Sequence, residues 1–312
     1  MTAAQVRPLS EELQKAAIDL LGEVPSRIPD DLAQLKQWIA QQPHLKANTD
    51  DQFLLAFLRG CKYSLEKTKS KIDKFFTLKS KFPEMFNVTD VKDPRFREIL
   101  KLGMFMYLPE PLNGNGPRIC IMRSSLYPPE KYTMEEVMAV SHAMQEIALL
   151  EDDYANIHGI IFIGDFGKAT MAHMFQWTPS LMKKATVFSE EAIPLRPKAS
   201  HFINTPSGFE PIFNMVKPML SAKQQSRLFV HGNKLDSLTK EIPLKYLPKE
   251  YGGENSSVDE MMQEWEKKMD QYAEYFKKNA EYGTDEKLRP GKAIDFNSMF
   301  GIEGSFRKLD VD

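Results

Sequence analysis

Gly159-Ile160-Ile161-Phe162-Ile163 is a continuous apolar run of the kind that forms a central parallel strand, buried on both faces of a sheet. Shorter strand patterns precede it at residues 104–107 and 118–123 and follow it at residues 200–203 and 228–230. Thr133 and Glu136 form a capping box at the start of one helix pattern, and further helical patterns lie between the later strands. Because strand and helix alternate, this part of the chain is predicted to be an α/β domain with a mostly parallel sheet.

The residues before this domain have helical patterns instead. Ser10, Asp50 and Ser64 each stand as a capping residue before apolar residues at helical spacing, and another helix pattern starts at about residue 30. The chain is therefore divided into a small N-terminal helical bundle (residues 1–94), the α/β domain (residues 95–254), and a C-terminal amphipathic helix with a tail (residues 255–312). The C-terminal helix pattern runs from residue 258 to about residue 282, and the tail after it has no clear period.

The composition is that of an ordinary soluble protein, with 27% charged and 42% hydrophobic residues among 312. A net charge of -2 argues against a general nucleic-acid binder, so basic residues matter only where they cluster. Cys61 and Cys120 form no disulfide framework and fit a reducing, cytoplasmic compartment. No apolar run approaches the ~20 residues of a spanning helix, so membrane contact is expected to be peripheral. We expect a monomer.

Several enzyme signatures are missing from the chain. It contains no Gly-x-Ser-x-Gly elbow, no Walker-type loop and no His-Glu-x-x-His, and its six histidines lack metal-ligand spacing. Asp165 ends the apolar strand where an α/β active site could lie, although capping of the following loop or helix is the favoured role. We therefore expect no catalytic residue, no metal and no cofactor.

The segment from residue 193 to residue 227 carries the strongest functional signal. Two basic clusters, Arg196/Lys198 and Lys223/Arg227, flank a helix pattern whose apolar residues point in more than one direction. Such a helix must cover an apolar interior, meet a membrane, or do both. The apolar residues concerned are Phe209, Ile212, Phe213 and Met215.

Four ordered motifs run through the chain between about residue 30 and residue 265. They are Asp50-Asp51-Gln52-Phe53-Leu54-Leu55-Ala56-Phe57-Leu58-Arg59-Gly60-Cys61-Lys62-Tyr63; Ile193-Pro194-Leu195-Arg196 with His201-Phe202-Ile203-Asn204; Val216-Lys217-Pro218-Met219-Leu220; and Leu247-Pro248-x-x-Tyr251-Gly252-Gly253. Together they resemble the signature of the CRAL-TRIO lipid-transfer family, which includes carriers of tocopherol and of retinaldehyde.

The resemblance implies a bowl-shaped α/β domain whose hydrophobic cavity is closed by a mobile gate helix. It implies a carrier that moves a tocopherol-, retinoid- or other lipid-like ligand between membranes. In the family's carrier of tocopherol, four basic residues beside the gate bind phosphoinositide phosphates, and by motif they fall on Arg196, Lys198, Lys223 and Arg227. The resemblance therefore implies binding of phosphatidylinositol bisphosphate at these four residues. The alternative for these four is a solvated charged rim.

The resemblance also indicates which residues line the cavity. His142 falls on a position that contacts ligand in relatives, so it is either a head-group contact or merely an internally satisfied or exposed histidine. Ile160, Phe162 and Gly164 share one face of their strand. Gly164 falls where relatives carry an acidic side chain or a Phe, so it is expected to leave extra room. Phe175 and Phe188 are expected in the cavity wall, although ordinary core packing would use them equally.

The two apolar sides of the gate helix receive different expected roles. Phe209 and Phe213 are predicted to meet the bilayer, while Ile212 and Met215 are predicted to touch ligand. Two rival functions remain open. One is a phosphoinositide-regulated adaptor whose cavity lipid is structural, and the other is a lipid-modifying hydrolase, which would need a Ser, a His and an acid in the cavity.

Overall fold

The computed structural model describes residues 4–123, 125–206, 209–233, 235–291, 294–296 and 300. It omits the side chains of Ile212, Met215, Val216, Met219 and Gln224. None of the helices in this described part is long and apolar enough to cross a bilayer.

The N-terminal part is helical, as predicted. Ser10 and Asp50 cap their helices by accepting the backbone N–H of Leu13 and Phe53, whereas Ser64 occupies the N-cap position without such a bond. The helices are α1 (Glu11–Leu21), α2 (Ile28–Ala40), α3 (Asp51–Gly60), α4 (Leu65–Lys81), α5 (Pro83–Phe86) and α6 (Pro94–Lys101).

The sheet confirms the predicted α/β architecture. Five strands lie in the order β2-β3-β4-β5-β6. The β2–β3 pair is antiparallel and the other three pairs are parallel, so the central apolar strand β4 has neighbours on both sides. The strands are β2 (Phe105–Tyr107), β3 (Arg118–Arg123), β4 (Ile160–Asp165), β5 (Pro197–Ile203) and β6 (Leu228–Gly232).

Helices connect these strands and cover the sheet. The longest begins with the predicted capping box, in which Thr133 and Glu136 each bond the other's backbone N–H. The helices are α7 (Met134–Glu151), α8 (Asp153–His158), α9 (Met171–Gln176), α10 (Pro179–Val187), α11 (Phe209–Val216), α12 (Ala222–Gln225) and α13 (Leu238–Glu241). A π-helical turn, Phe188–Ala192, follows α10.

The C-terminal helix is shorter than its sequence pattern predicted. Instead of continuing to about residue 282, the chain breaks at Tyr272 between α14 (Val258–Gln271) and α15 (Ala273–Lys278). A short strand β7 (Gly283–Thr284) then pairs antiparallel with β1 (Leu45–Lys46) of the N-terminal part. The tail therefore returns to the N-terminal helices.

A buried ion pair joins the three parts of the chain. Lys79 Nζ of α4 donates to Glu146 Oε1 of α7 at 2.7 Å, and the two side chains are only 2% and 3% exposed. Tyr275 and Asn279, from the C-terminal part, donate to the other carboxylate oxygen of Glu146 at 3.2 and 3.1 Å. Every oxygen of the buried carboxylate thus has a partner.

We expect Glu146→Ala to lower the free energy of unfolding by about 3–5 kcal/mol, because it leaves the Lys79 ammonium buried without its counterion. Urea denaturation measures this change. Glu264→Ala removes the acid of an exposed pair with Lys267 and should change stability by about 0.5 kcal/mol or less. Equal losses in the two variants would contradict the importance of the buried pair.

Candidate functional site

A cavity of about 370 Å³ lies between the sheet and helices α7, α9, α10 and α11. Its described lining is predominantly apolar, and the one charged side chain in that lining is Arg227. Of the predicted cavity residues, His142, Ile160, Phe162 and Phe188 line this space. Their contact with a ligand stays a prediction.

His142 provides a fixed polar group in this lining. The residue is buried, and its Nδ1 lies 2.9 Å from the carbonyl oxygen of Met85. Burial lowers the pKa of His142 to about 4, so the ring is neutral at pH 7 and Nδ1 carries the hydrogen donated to that carbonyl. No described protein group pairs with Nε2. That nitrogen is therefore an acceptor suited to a ligand hydroxyl.

Gly164 does not leave the extra room that the sequence suggested. A Cβ built on it would lie 3.1 Å from a ring atom of Phe202, 3.2 Å from Phe166 and 3.4 Å from Phe162. The three aromatic rings already occupy the space that the missing side chain vacates. The prediction that Gly164 borders open cavity is wrong, because neighbouring side chains fill a gap that the chain's own spacing cannot reveal.

Phe175 was also wrongly assigned to the cavity wall. Its side chain is 74% exposed, and Met171, one turn earlier on α9, is 59% exposed. Met174 and Trp177 line the cavity instead. The six-residue α9 turns its opposite side to the interior, and a helix this short has too few apolar positions for the sequence to fix its orientation.

Helix α11, the predicted gate, has its aromatic residues on the cavity side, whereas the sequence analysis expected them on the outer side that meets the bilayer. Phe209 and Phe213 line the cavity, and Phe209 is only 7% exposed. Their rings pack 5.6 and 5.7 Å from that of Phe202. The predicted ligand contacts Ile212 and Met215 have side chains outside the described part. In this closed arrangement the phenylalanines bury the larger apolar area, which favours their inward position.

The four predicted basic residues form a cluster beside the gate. None of them has a carboxylate within ion-pair distance in the described part of the chain. Burial, together with neighbouring positive charges, lowers the pKa of Lys198. Those charges belong to Arg196, Arg227, Lys62 and Lys223. Unpaired cations this close repel one another and favour an anionic ligand.

Two arginines of the cluster are held by backbone carbonyls. Arg196 Nη2 donates to the carbonyl oxygens of Asn156 and Ile157 at the C-terminal end of α8, at 2.8 and 2.5 Å. Arg227 Nη1 donates to the carbonyl oxygen of Pro197 at 2.6 Å. Because Arg227 also lines the cavity, the basic cluster and the cavity meet at this residue.

Lys62 is the member of the cluster that sequence reasoning missed. It lies in the turn after α3, where Lys62 and Tyr63 both have positive φ values, 52° and 57°. Gly60 lets this turn approach the sheet domain, since a Cβ there would lie 2.2 Å from the carbonyl oxygen of Pro194. The available signal was a glycine that ends a helix two residues before a lysine, but the contact of this glycine with residue 194 is long-range and cannot be read from the sequence.

Asp165 has the structural role that the sequence favoured. Its Oδ1 accepts the backbone N–H of Gly167 and the side-chain amide of Asn204, at 2.8 and 2.9 Å. Its Oδ2 accepts the hydroxyl of Tyr251 at 2.6 Å. The carboxylate thus ties the Leu247–Gly253 motif to the end of β4. The described cavity lining contains serines and a histidine but no Asp or Glu, which gives the hydrolase interpretation no acid.

Comparisons with known proteins agree with this arrangement. A family model described as CRAL/TRIO domain matches residues 103–253, and one described as Pinta-like, UBA domain matches residues 24–96. The chain is 28% identical over 253 residues to alpha-tocopherol transfer protein-like from Homo sapiens, covering 80% of this chain and 72% of the relative. It is 26% identical to Clavesin-2 from Homo sapiens, covering 95% and 88%.

A solved structure shares the fold. The crystal structure of Sfh5 aligns with a TM-score of 0.50 and 11% sequence identity, over 82% of this chain and 92% of that one. Identity this low shows a common fold and nothing about the ligand.

We expect Gly164→Phe to destabilise the ligand-free protein by about 1–3 kcal/mol, because the new ring must displace Phe202, Phe166 and Phe162. Thermal unfolding without ligand measures the effect. Phe175→Ala, at an exposed position, should change stability by about 0.5 kcal/mol or less. If Gly164→Phe melted like the unsubstituted protein but bound less ligand, Gly164 would border open cavity after all.

Proposed function

We propose that this chain, whose residues 103–253 match the CRAL/TRIO domain, is a member of that family, carries a small hydrophobic ligand between membranes and binds phosphatidylinositol bisphosphate at the basic cluster. The observation that carries the proposal is the meeting of an apolar cavity with a cationic cluster that lacks carboxylate partners, at Arg227. Apolar ligand surface buried there contributes ~25 cal/mol per Å². No covalent step is required.

The cavity favours an uncharged, mostly apolar ligand with one hydroxyl. His142 Nε2 accepts a hydrogen bond, while the described lining offers no carboxylate to bind a cationic head group. A tocopherol-like alcohol, a retinoid or another lipid with a single hydroxyl meets these requirements. One relative carries alpha-tocopherol transfer in its name, which supports the first class.

Met171 and Phe175 are the proposed membrane contact. The corrected faces of α11 bury its phenylalanines, whereas α9 exposes two large apolar side chains whose neighbours Met174 and Trp177 line the cavity. Exposed apolar residues beside a cavity mouth gain free energy when they enter a bilayer. The cations of the basic cluster would hold the same protein against anionic head groups.

A phosphoinositide-regulated adaptor with a structural lipid is the second candidate. The buried, hydrogen-bonded His142 fits a permanently enclosed lipid as well as an exchanging one. Native mass spectrometry with lipid extraction identifies the bound molecule, and fluorescent-lipid transfer between vesicles measures exchange. Stoichiometric lipid with no measurable transfer would favour the adaptor over the carrier.

Replacing Arg196, Lys198, Lys223 and Arg227 with Ala should remove about 1 kcal/mol of membrane binding each. The sum corresponds to an affinity loss of several hundredfold, at about 1.4 kcal/mol per tenfold. Pelleting with vesicles containing phosphatidylinositol bisphosphate measures it, and Lys62→Ala alone should cost roughly fivefold.

The matched control for this test replaces four exposed lysines that each pair with a carboxylate, namely Lys46, Lys101, Lys249 and Lys267. It lowers the net charge equally and should weaken pelleting far less. If both quadruple variants pellet alike, the cluster binds through its net charge alone and the assigned site is wrong.

Met171→Asp combined with Phe175→Asp should slow ligand transfer between vesicles by about tenfold or more, because two apolar side chains no longer enter the bilayer. Equilibrium ligand binding should stay nearly unchanged, since neither side chain lines the cavity. Phe209→Asp is the contrasting variant and should abolish ligand binding. Unchanged transfer by the double variant would remove α9 from the membrane contact.

A further inference from the structure

Two phenylalanines near the C-terminus, Phe296 and Phe300, pack on the N-terminal part of the chain; we refer to them as the tail pair. Their rings contact Phe82, which lies between α4 and α5, at centroid distances of 6.5 and 5.2 Å and near-perpendicular angles of 85° and 81°. Phe300 is only 4% exposed. Phe300 therefore belongs to the packed interior and the partly buried Phe296 to its edge, although the tail showed no clear period in the sequence.

Two lysines hold this aromatic contact from different helices. Lys184 Nζ of α10 lies 4.4 Å from the ring centroid of Phe82, and Lys81 Nζ of α4 lies 4.9 Å from that of Phe296. Cations at these distances are attracted to the faces of aromatic rings. Helix α10 thus touches the same cluster as the tail pair.

Ring contacts continue from this cluster to the cavity. Phe82 lies 6.4 Å from Phe86, which stacks on Phe188 at 4.2 Å and an interplanar angle of 10°. Phe86 also lies 4.9 Å from the ring of His142. Because Phe188 and His142 line the cavity, a continuous series of packed rings joins the tail pair to the cavity wall.

Helix α10 separates the cavity from this cluster as a single layer. Met182, Ala185 and Thr186 line the cavity, while Lys184 of the same helix contacts Phe82. On its outer side α10 packs on the aromatic cluster, so its position over the cavity depends in part on that contact.

We propose that the tail pair is an external brace of the cavity wall, which keeps α5 and α10 packed over the cavity. Releasing the two rings leaves Phe82 without its outer partners and lowers the free energy of opening this part of the wall. The proposal concerns the wall itself, so it stands whatever the cavity binds and goes beyond the carrier activity.

Hydrogen–deuterium exchange of the ligand-free full-length protein tests the brace. In the double variant Phe296→Ala/Phe300→Ala, the amides of α10 should exchange at least about tenfold faster. A decrease of about 1.4 kcal/mol in the free energy of opening raises the exchange rate tenfold. Amides of the central strand β4 should keep their protection. Leu288→Ala, which removes an exposed side chain of the same tail, is the matched control and should leave α10 unchanged.

The outcomes distinguish a brace, which stabilises α10, from a tail pair that only covers the surface. Unchanged exchange in α10 of the double variant would overturn the proposal, even if the tail itself exchanged faster. If β4 also lost protection, Phe300→Leu would decide, because it keeps most of the apolar volume and removes the ring. Faster exchange in α10 of that variant, with β4 protected, supports the brace, and exchange at the original rate overturns it.

Discussion

The ion pair between Lys79 and Glu146 is the constraint on which the rest of the structure depends. Removing two charges from water costs several kcal/mol each, and burial lowers the pKa of Lys79 accordingly. The cost is offset only when the carboxylate has all its partners, which come from α4, α7 and the C-terminal part. The helical part, the sheet domain and the tail therefore share one buried polar contact that needs all three of them.

Contacts between the same parts also form the cationic surface. Lys71 of α4 donates to the backbone carbonyls of Glu190 and Ile193, both at 2.8 Å, and so fixes the segment that leads into the basic cluster. Gly60 brings the turn of Lys62 against Pro194 in the same region. The basic cluster thus combines residues from the N-terminal helical part and from the sheet domain. Neither part alone would produce the same positive electrostatic potential.

The sequence predicted those features that depend on local pattern. The apolar run of β4 gave the parallel sheet, and strand alternation correctly assigned Ile160 and Phe162 to one face, which the cavity occupies. The capping box of α7 was visible in the same way. These features need no knowledge of distant residues, because period and capping chemistry act over a few positions.

What the sequence missed depends on long-range packing. The room beside Gly164 is taken by rings of residues 162, 166 and 202, and the side of α11 that faces inward is decided by the ring of Phe202. The orientation of Phe175 and the approach of Lys62 to the cluster are likewise set by neighbours from other elements. When a helix is apolar on two sides, its own sequence does not predict which side is buried.

The crowding of cations has a consequence for proton binding. His158 ends α8 near the cluster, and burial, followed by the charges of Lys198 and Arg196, lowers its pKa. An anion bound among those cations would cancel part of their field and raise the pKa of His158 again. Association would then take up protons, and by linkage it would strengthen as the pH falls through the range where His158 titrates. A lower pH and a bound phosphate would each favour the other at the basic cluster.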